Sequence, residues 1–97
     1  MGLLNSVLFE GFVNDDPVFC YEKSKINPDI DQPRLRFSVR EPKSGLCVDI
    51  RNASGLPDIE DLFWKLDKGN KVRVVGKLSM SEGKLMLKAD HIERLRE

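Results

Sequence analysis

One stretch of the chain has a helical period, and its place among alternating segments constrains the fold most. Ile59, Leu62, Phe63 and Leu66 recur at i, i+3, i+4 and i+7, behind Pro57 and an acidic first turn and ahead of Lys68-Gly69. That is the pattern of one short amphipathic helix with a stop signal after it. The flanking segments alternate with period two. Residues 34–40 (RLRFSVR) put Leu35, Phe37 and Val39 on one face and Arg34, Arg36, Ser38 and Arg40 on the other. Residues 46–51 (LCVDIR) set Leu46, Val48 and Ile50 against Cys47, Asp49 and Arg51, after a hairpin connection at Glu41-Pro42-Lys43-Ser44-Gly45. Beyond the helix, Val72, Val74, Gly76 and Leu78 alternate with Lys71, Arg73, Val75 and Lys77. A loop at 79–83 then leads to Leu85, Leu87 and Ala89 alternating with Lys84, Met86 and Lys88.

The beginning of the chain is apolar on both faces. Over Leu4 to Val13, Val7, Phe9, Gly11 and Val13 share one face, and Leu8, Glu10 and Phe12 share the other. Asn14-Asp15-Asp16-Pro17 ends this strand, because Asx side chains bond their own backbone and proline cannot continue a ladder. A short strand, Val18 to Glu22, follows, and residues 23–33 (KSKINPDIDQP), with two prolines and no period, predict an exposed loop. With Val18 to Glu22 counted together with the first strand, the order is strand, strand, strand, helix, strand, strand. It predicts an all-β fold with one short helix: a five-stranded OB-fold barrel, with its helix between strands three and four and no open edge. Order alone leaves SH3-like barrels and small sandwiches open.

At 97 residues the chain fits one domain with a thin core, so self-association is expected to matter. Residues 1–97 are read as one such domain, without a leader, a membrane span or a C-terminal tail, and a cytoplasmic place is expected. Cys20 and Cys47 have no CxxC spacing and read as buried free thiols. The formal net charge is zero, but charge is sorted along the chain. Residues 1–33 carry two Lys against six Asp or Glu, residues 34–52 five basic against two acidic, and residues 65–88 seven basic against two acidic. Both basic segments read as strands, so one face can be positive on a neutral molecule. No nucleophile–base pair, phosphate loop or metal-ligand spacing is present, and His91 has no partner that the sequence assigns. No cofactor, no metal and no catalysis are expected.

Specific residues then add a resemblance. Asn5, Val7, Phe9, Gly11, Val13, Asp16-Pro17 and Tyr21 resemble the opening of the bacterial single-stranded DNA-binding protein family. Phe37-Ser38-Val39 resembles the family's second strand. Leu66, Lys68-Gly69-Asn70-Lys71-Val72 and Val74-x-Gly76-x-Leu78 resemble its helix end and fourth strand, and Ala89-Asp90-His91-Ile92-Glu93 its last. The likeness is to a short, tail-less member, of the type of primosomal replication protein B. It implies an OB-fold that contacts single-stranded DNA, or RNA, in replication, repair or recombination. It also implies a homo-oligomer, dimer or tetramer, built on the first strand. The family's stacking tryptophans have no counterpart at the matching positions, so weaker base stacking is expected.

The candidate nucleic-acid contacts are Arg34, Arg36, Arg40, Arg51, Lys71, Arg73 and Lys77, with Phe12 and Tyr21 as the aromatics for an open face. Leu8 and Phe12 are the candidate oligomer contacts. Trp64 lies about 140° around the helix from Ile59. It is read either as packed on the barrel rim or as an anchor for replication or repair proteins. The competing class is a protein-interaction OB module with little or no nucleic-acid binding.

Overall fold

The inward halves of the alternating segments make the core. In the computed structural model, which describes residues 6–96, the buried set is Val13, Leu35, Phe37, Val39, Val48, Ile50, Ile59, Leu66, Val72, Val74, Leu87 and Ala89. Burying a Val, Leu, Ile or Phe fully contributes about 1.5–3 kcal/mol each. Parity on β3 (Asp31–Arg40), β4 (Cys47–Asn52), β5 (Lys71–Ser81) and β6 (Lys84–Arg94) therefore sets which side chains face out. β1 (Ser6–Val13) and β2 (Val18–Lys23) precede them, and α1 (Ile59–Lys65) lies between β4 and β5. The Asn5 and Leu4 end of the expected first strand falls outside the described residues.

The strands form one six-stranded sheet in the order β1-β5-β6-β4-β3-β2, with a further pairing of β1 to β3. β1 runs antiparallel to β5 from Ser6↔Lys77 to Phe12↔Lys71, and its last two residues pair with β3 at Phe12↔Arg40 and Val13↔Val39. The pairings thus run from β1 through β5, β6, β4 and β3 back to β1. The β4–β6 pair is the one parallel ladder among the described strands. Two glycines permit the tight passages. A Cβ at Gly11 would collide with the Arg40 carbonyl and stand 2.9 Å from Val39 Cγ1. One at Gly76, where the β5–β6 register shifts, would stand 2.8 Å from Ala89 Cα.

Several expectations need correction. The sheet has six strands, not five, because after the Asp-Asp-Pro turn Val18–Lys23 builds its own ladder on the first half of β3. Its pairs run from Val18↔Arg36 to Lys23↔Asp31, so the exposed loop expected at 23–33 shrinks to residues 24–30. The Ser24 Oγ accepts from the backbone of Ile26 and Asn27, which holds the turn. Pro33 is tolerated in a strand because it lies where β3 pairs with β2 alone, before the β4 ladder starts at Arg36. The expected loop at 79–83 is strand up to Ser81, with a two-residue turn at Glu82-Gly83, both at positive φ as a tight hairpin turn requires. Leu46 lies outside β4 and is exposed. Neither cysteine is buried: Cys20 is half-buried and Cys47 exposed, both on outward positions, and both are free thiols.

Candidate nucleic-acid interface

Register, which parity alone does not supply, brings four outward cations into line. Arg36 on β3 pairs with Arg51 on β4, Arg51 with Lys88 on β6, and Lys88 with Lys77 on β5. Strands lie about 4.8 Å apart, so this row crosses the sheet over about 14 Å. Arg36, Lys77 and Lys88 are exposed and Arg51 is half-buried. Among the described residues, none of the four forms an ion pair. Lys88 was not among the residues the sequence singled out. The two-residue turn at Glu82-Gly83 carried the signal, since a ladder that starts at Ser81↔Lys84 places Lys77 opposite Lys88.

The neighbouring outward row is different in kind. It runs Ser38, Asp49, Met86, Ser79 across the same strands. The Ser38 hydroxyl donates to Asp15 Oδ2 at 2.8 Å, which holds the Asn14–Pro17 turn over β3. A hollow of about 260 Å³ lies there, and Asp16, Arg36, Asp49, Arg51 and Met86 are among its lining residues. The row of cations is therefore bordered by carboxylates on one side. Where rings would be needed for stacking, Met86 and Val18 supply the apolar surface.

The other candidate residues separate into three groups. Arg34 is only 18% exposed and is committed to the fold: Nε donates to Glu22 Oε2 at 3.2 Å and Nη1 to the Asn52 carbonyl at 3.2 Å. Arg73 is held by Glu10 and, at 3.8 Å, by Glu93. The Glu10 hydrogen bond and charge keep its pKa above the usual guanidinium value. Arg40, Lys71 and Phe12 form a second group, since Phe12 pairs with Arg40 on one side and Lys71 on the other.

Tyr21 belongs with neither cation group. It pairs with Pro33, and so lies on the face of β2 opposite to Val18 and the Arg36 row. Its hydroxyl donates to Glu60 Oε1 of α1 at 3.0 Å, and that bond raises the phenol's pKa. Phe19, Phe63 and Trp64 continue a line of rings from it, with centroids 5.1–5.4 Å apart. Trp64 is 73% exposed, against the reading that packed it on the rim. Its neighbour Phe63 fills the position on the helix stripe, which leaves the indole outside. Leu8 is 61% exposed on the outer face of β1. No cluster of possible metal ligands occurs among the described residues, and no described helix is long and apolar enough to cross a membrane.

No protein-family model matches the chain, and no curated protein matches it in sequence. Solved structures do match. The SSB domain of a Synechococcus protein superposes with a TM-score of 0.75 at 16% identity, over 97% of this chain and 99% of that one. A deletion mutant of the single-stranded DNA binding protein from Thermus aquaticus gives 0.70 at 22% identity, over 97% of this chain and 42% of that one. The small single-stranded DNA-binding protein from Streptomyces coelicolor gives 0.64 at 19%, over 92% and 89%. The chain shares the OB-like fold of these proteins.

Proposed function

We propose that the chain is a non-catalytic single-strand-binding protein of OB type, acting where single-stranded DNA is exposed in replication, repair or recombination. The observation that carries this reading is the row Arg36, Arg51, Lys88, Lys77, four outward cations in register without ion pairs among the described residues. Phosphates are the ligand such a row suits. Four phosphate contacts on a single strand give a slope of log K against log salt of about −2.8. The shared fold with single-stranded DNA-binding proteins and the circuit of pairings, read as a closed barrel, support it. The scarcity of rings on this face favours weak stacking and little preference among bases. Anisotropy of a labelled oligo-dT titrated against salt, with an RNA oligomer as competitor, tests the reading and its DNA preference together.

The same reading includes self-association. β1 pairs with β5 from Ser6 to Phe12 but with β3 only at Phe12 and Val13. Its second edge from Ser6 to Gly11 is open among the described residues, with Leu8 exposed beside it. Pairing of that edge with its symmetry mate makes a two-fold dimer, which is a building block for a tetramer. Trp64, exposed at the end of the ring line, is proposed as the anchor for a replication or repair protein.

A further inference from the structure

The end of the molecule where β1 finishes gathers a second set of cations. The turn that follows α1 is bonded to β1, with Gly69 N donating to the Val13 carbonyl at 2.8 Å and Val13 N to the Asn70 carbonyl at 2.9 Å. This sets Lys68 and Lys71 beside Phe12, whose other neighbour is Arg40. β6 ends at the same place: Leu95 N donates to the Lys71 carbonyl at 2.8 Å, which brings in Arg94 and Arg96. A hollow of about 540 Å³ opens between Lys71, Arg94 and Arg96, and one of about 160 Å³ between Phe12, Arg40 and Lys68. Among the described residues, none of these five cations forms an ion pair. Asp67, whose backbone N–H bonds to Asn70 Oδ1, is the one carboxylate of the turn.

Carboxylates interrupt both routes from this surface to the Arg36 row. Along β3, Arg40 is separated from Arg36 by Ser38 with Asp15 bonded to it, and Asp49 stands next in register. Along β5, Lys71 is separated from Lys77 by Arg73, which Glu10 and Glu93 neutralise. A strand that leaves one surface for the other meets carboxylates on either route, which favours a separate segment on each.

We infer that Arg40, Lys68 and Lys71 beside Phe12, continued by Arg94 and Arg96 around the hollow that Lys71 shares with them, form a second binding surface, taking a second segment of single-stranded nucleic acid with a base against the Phe12 ring. The inference extends the single-strand reading but stands on different residues. One chain then holds two segments, of one long strand or of two strands, and can bring complementary sequences together.

The test is the stoichiometry of a labelled oligo-dT of about 8 nucleotides, within the site size of one OB domain. It is measured at low salt for the parent and two charge-reversal variants, R36E/R51E/K88E and K68E/R94E/R96E, with folding followed by circular dichroism. Two oligomers per chain are expected for the parent and one for each variant. A parent that binds one oligomer, kept by K68E/R94E/R96E, or a K68E/R94E/R96E variant that still binds two, overturns the second surface and leaves the row standing. Two oligomers on R36E/R51E/K88E removes the row instead, and a parent that binds none removes both. If K68E/R94E/R96E fails to fold, K68A/R96A, at exposed positions outside the strands, lowers the salt slope for an oligomer of about 30 nucleotides by about 1.4. An unchanged slope overturns the surface.

Discussion

Arg36 stands directly opposite Arg51 across β3 and β4, and neither has a carboxylate within ion-pair distance among the described residues. Like charges opposite each other weaken a sheet, by roughly 0.2–1 kcal/mol per pair. Lys88 and Lys77 extend the repulsion across two more strands. Two other outward arginines of the sheet are paired: Arg34 has Glu22, and Arg73 has Glu10 and Glu93. The row thus leaves like charges facing one another across four strands, and a bound polyanion would turn that repulsion into attraction.

Asn52 should be the most sensitive buried polar residue. It is 2% exposed; its Oδ1 accepts from Leu35 N at 2.8 Å, and its Nδ2 donates to the Pro33 and Ala53 carbonyls at 3.2 and 3.3 Å. Asn52→Ala leaves the Leu35 N–H without that partner inside the core. The expected loss is about 2–4 kcal/mol, measured by urea denaturation. A loss under about 1 kcal/mol would mean that water replaces the amide.

Gly11→Val should prevent folding or lower the thermal midpoint sharply. The added Cβ meets the Arg40 carbonyl and Val39 Cγ1 where β1 turns to pair with β3, so backbone must move. A variant with the parent's melting curve would show that the β1–β3 contact is dispensable.

Much of this was legible beforehand. Alternation placed Leu35, Phe37, Val39, Val48, Ile50, Val72, Val74, Leu87 and Ala89 inward, and all are buried. The stripe Ile59, Leu62, Phe63, Leu66 gave the helix, with Leu66 falling one residue past its end. Lateral neighbours are legible only across the hairpin at Glu41-Pro42-Lys43-Ser44-Gly45, which sets Arg51 beside the arginines of residues 34–40, as the Arg36↔Arg51 pair bears out; elsewhere period two tells which face a residue takes and not which residue lies beside it. Hence period two puts Arg36, Arg51 and Lys77 in one class with Arg34 and Arg73, which carboxylates hold, and gives no reason to single out Lys88. The parallel β4–β6 ladder that joins Arg51 to Lys88 has no local signature, since its strands are separated by α1 and β5.

Leu8→Asp should dissociate the proposed dimer, because a carboxylate there would lose water without gaining a partner. Leu8 is 61% exposed in the isolated chain, so the variant should still fold. Light scattering at micromolar concentration is expected to find a dimer or tetramer for the parent and a monomer for the variant. A monomeric parent would remove the β1 interface.

Glu41 ties the β3–β4 hairpin. Its carboxylate accepts from Ser44 Oγ at 2.6 Å, Ser44 N at 2.7 Å and Lys43 N at 3.0 Å, and these bonds hold its pKa below the ordinary 4.5. A depressed carboxylate stabilises the fold above its unfolded pKa, and that contribution disappears as pH falls through the folded value. Glu41→Gln should therefore melt below the parent at pH 7, by a margin that narrows in acid as the pH falls below 4.5 and through the folded value. Equal melting throughout would mean that the hairpin does not need the charge.

The row is tested most directly by the salt dependence of oligo-dT binding for the parent and for Arg36→Ala/Arg51→Ala/Lys88→Ala. Arg73 is left intact because Glu10 already holds it. With a labelled oligomer of about 8 nucleotides, and K68E/R94E/R96E in both proteins so that the row alone is read, three lost phosphate contacts should weaken binding at low salt and flatten the slope of log K against log salt by about 2.1. A folded triple variant with the parent's affinity and slope would contradict the assignment of this row to single strands.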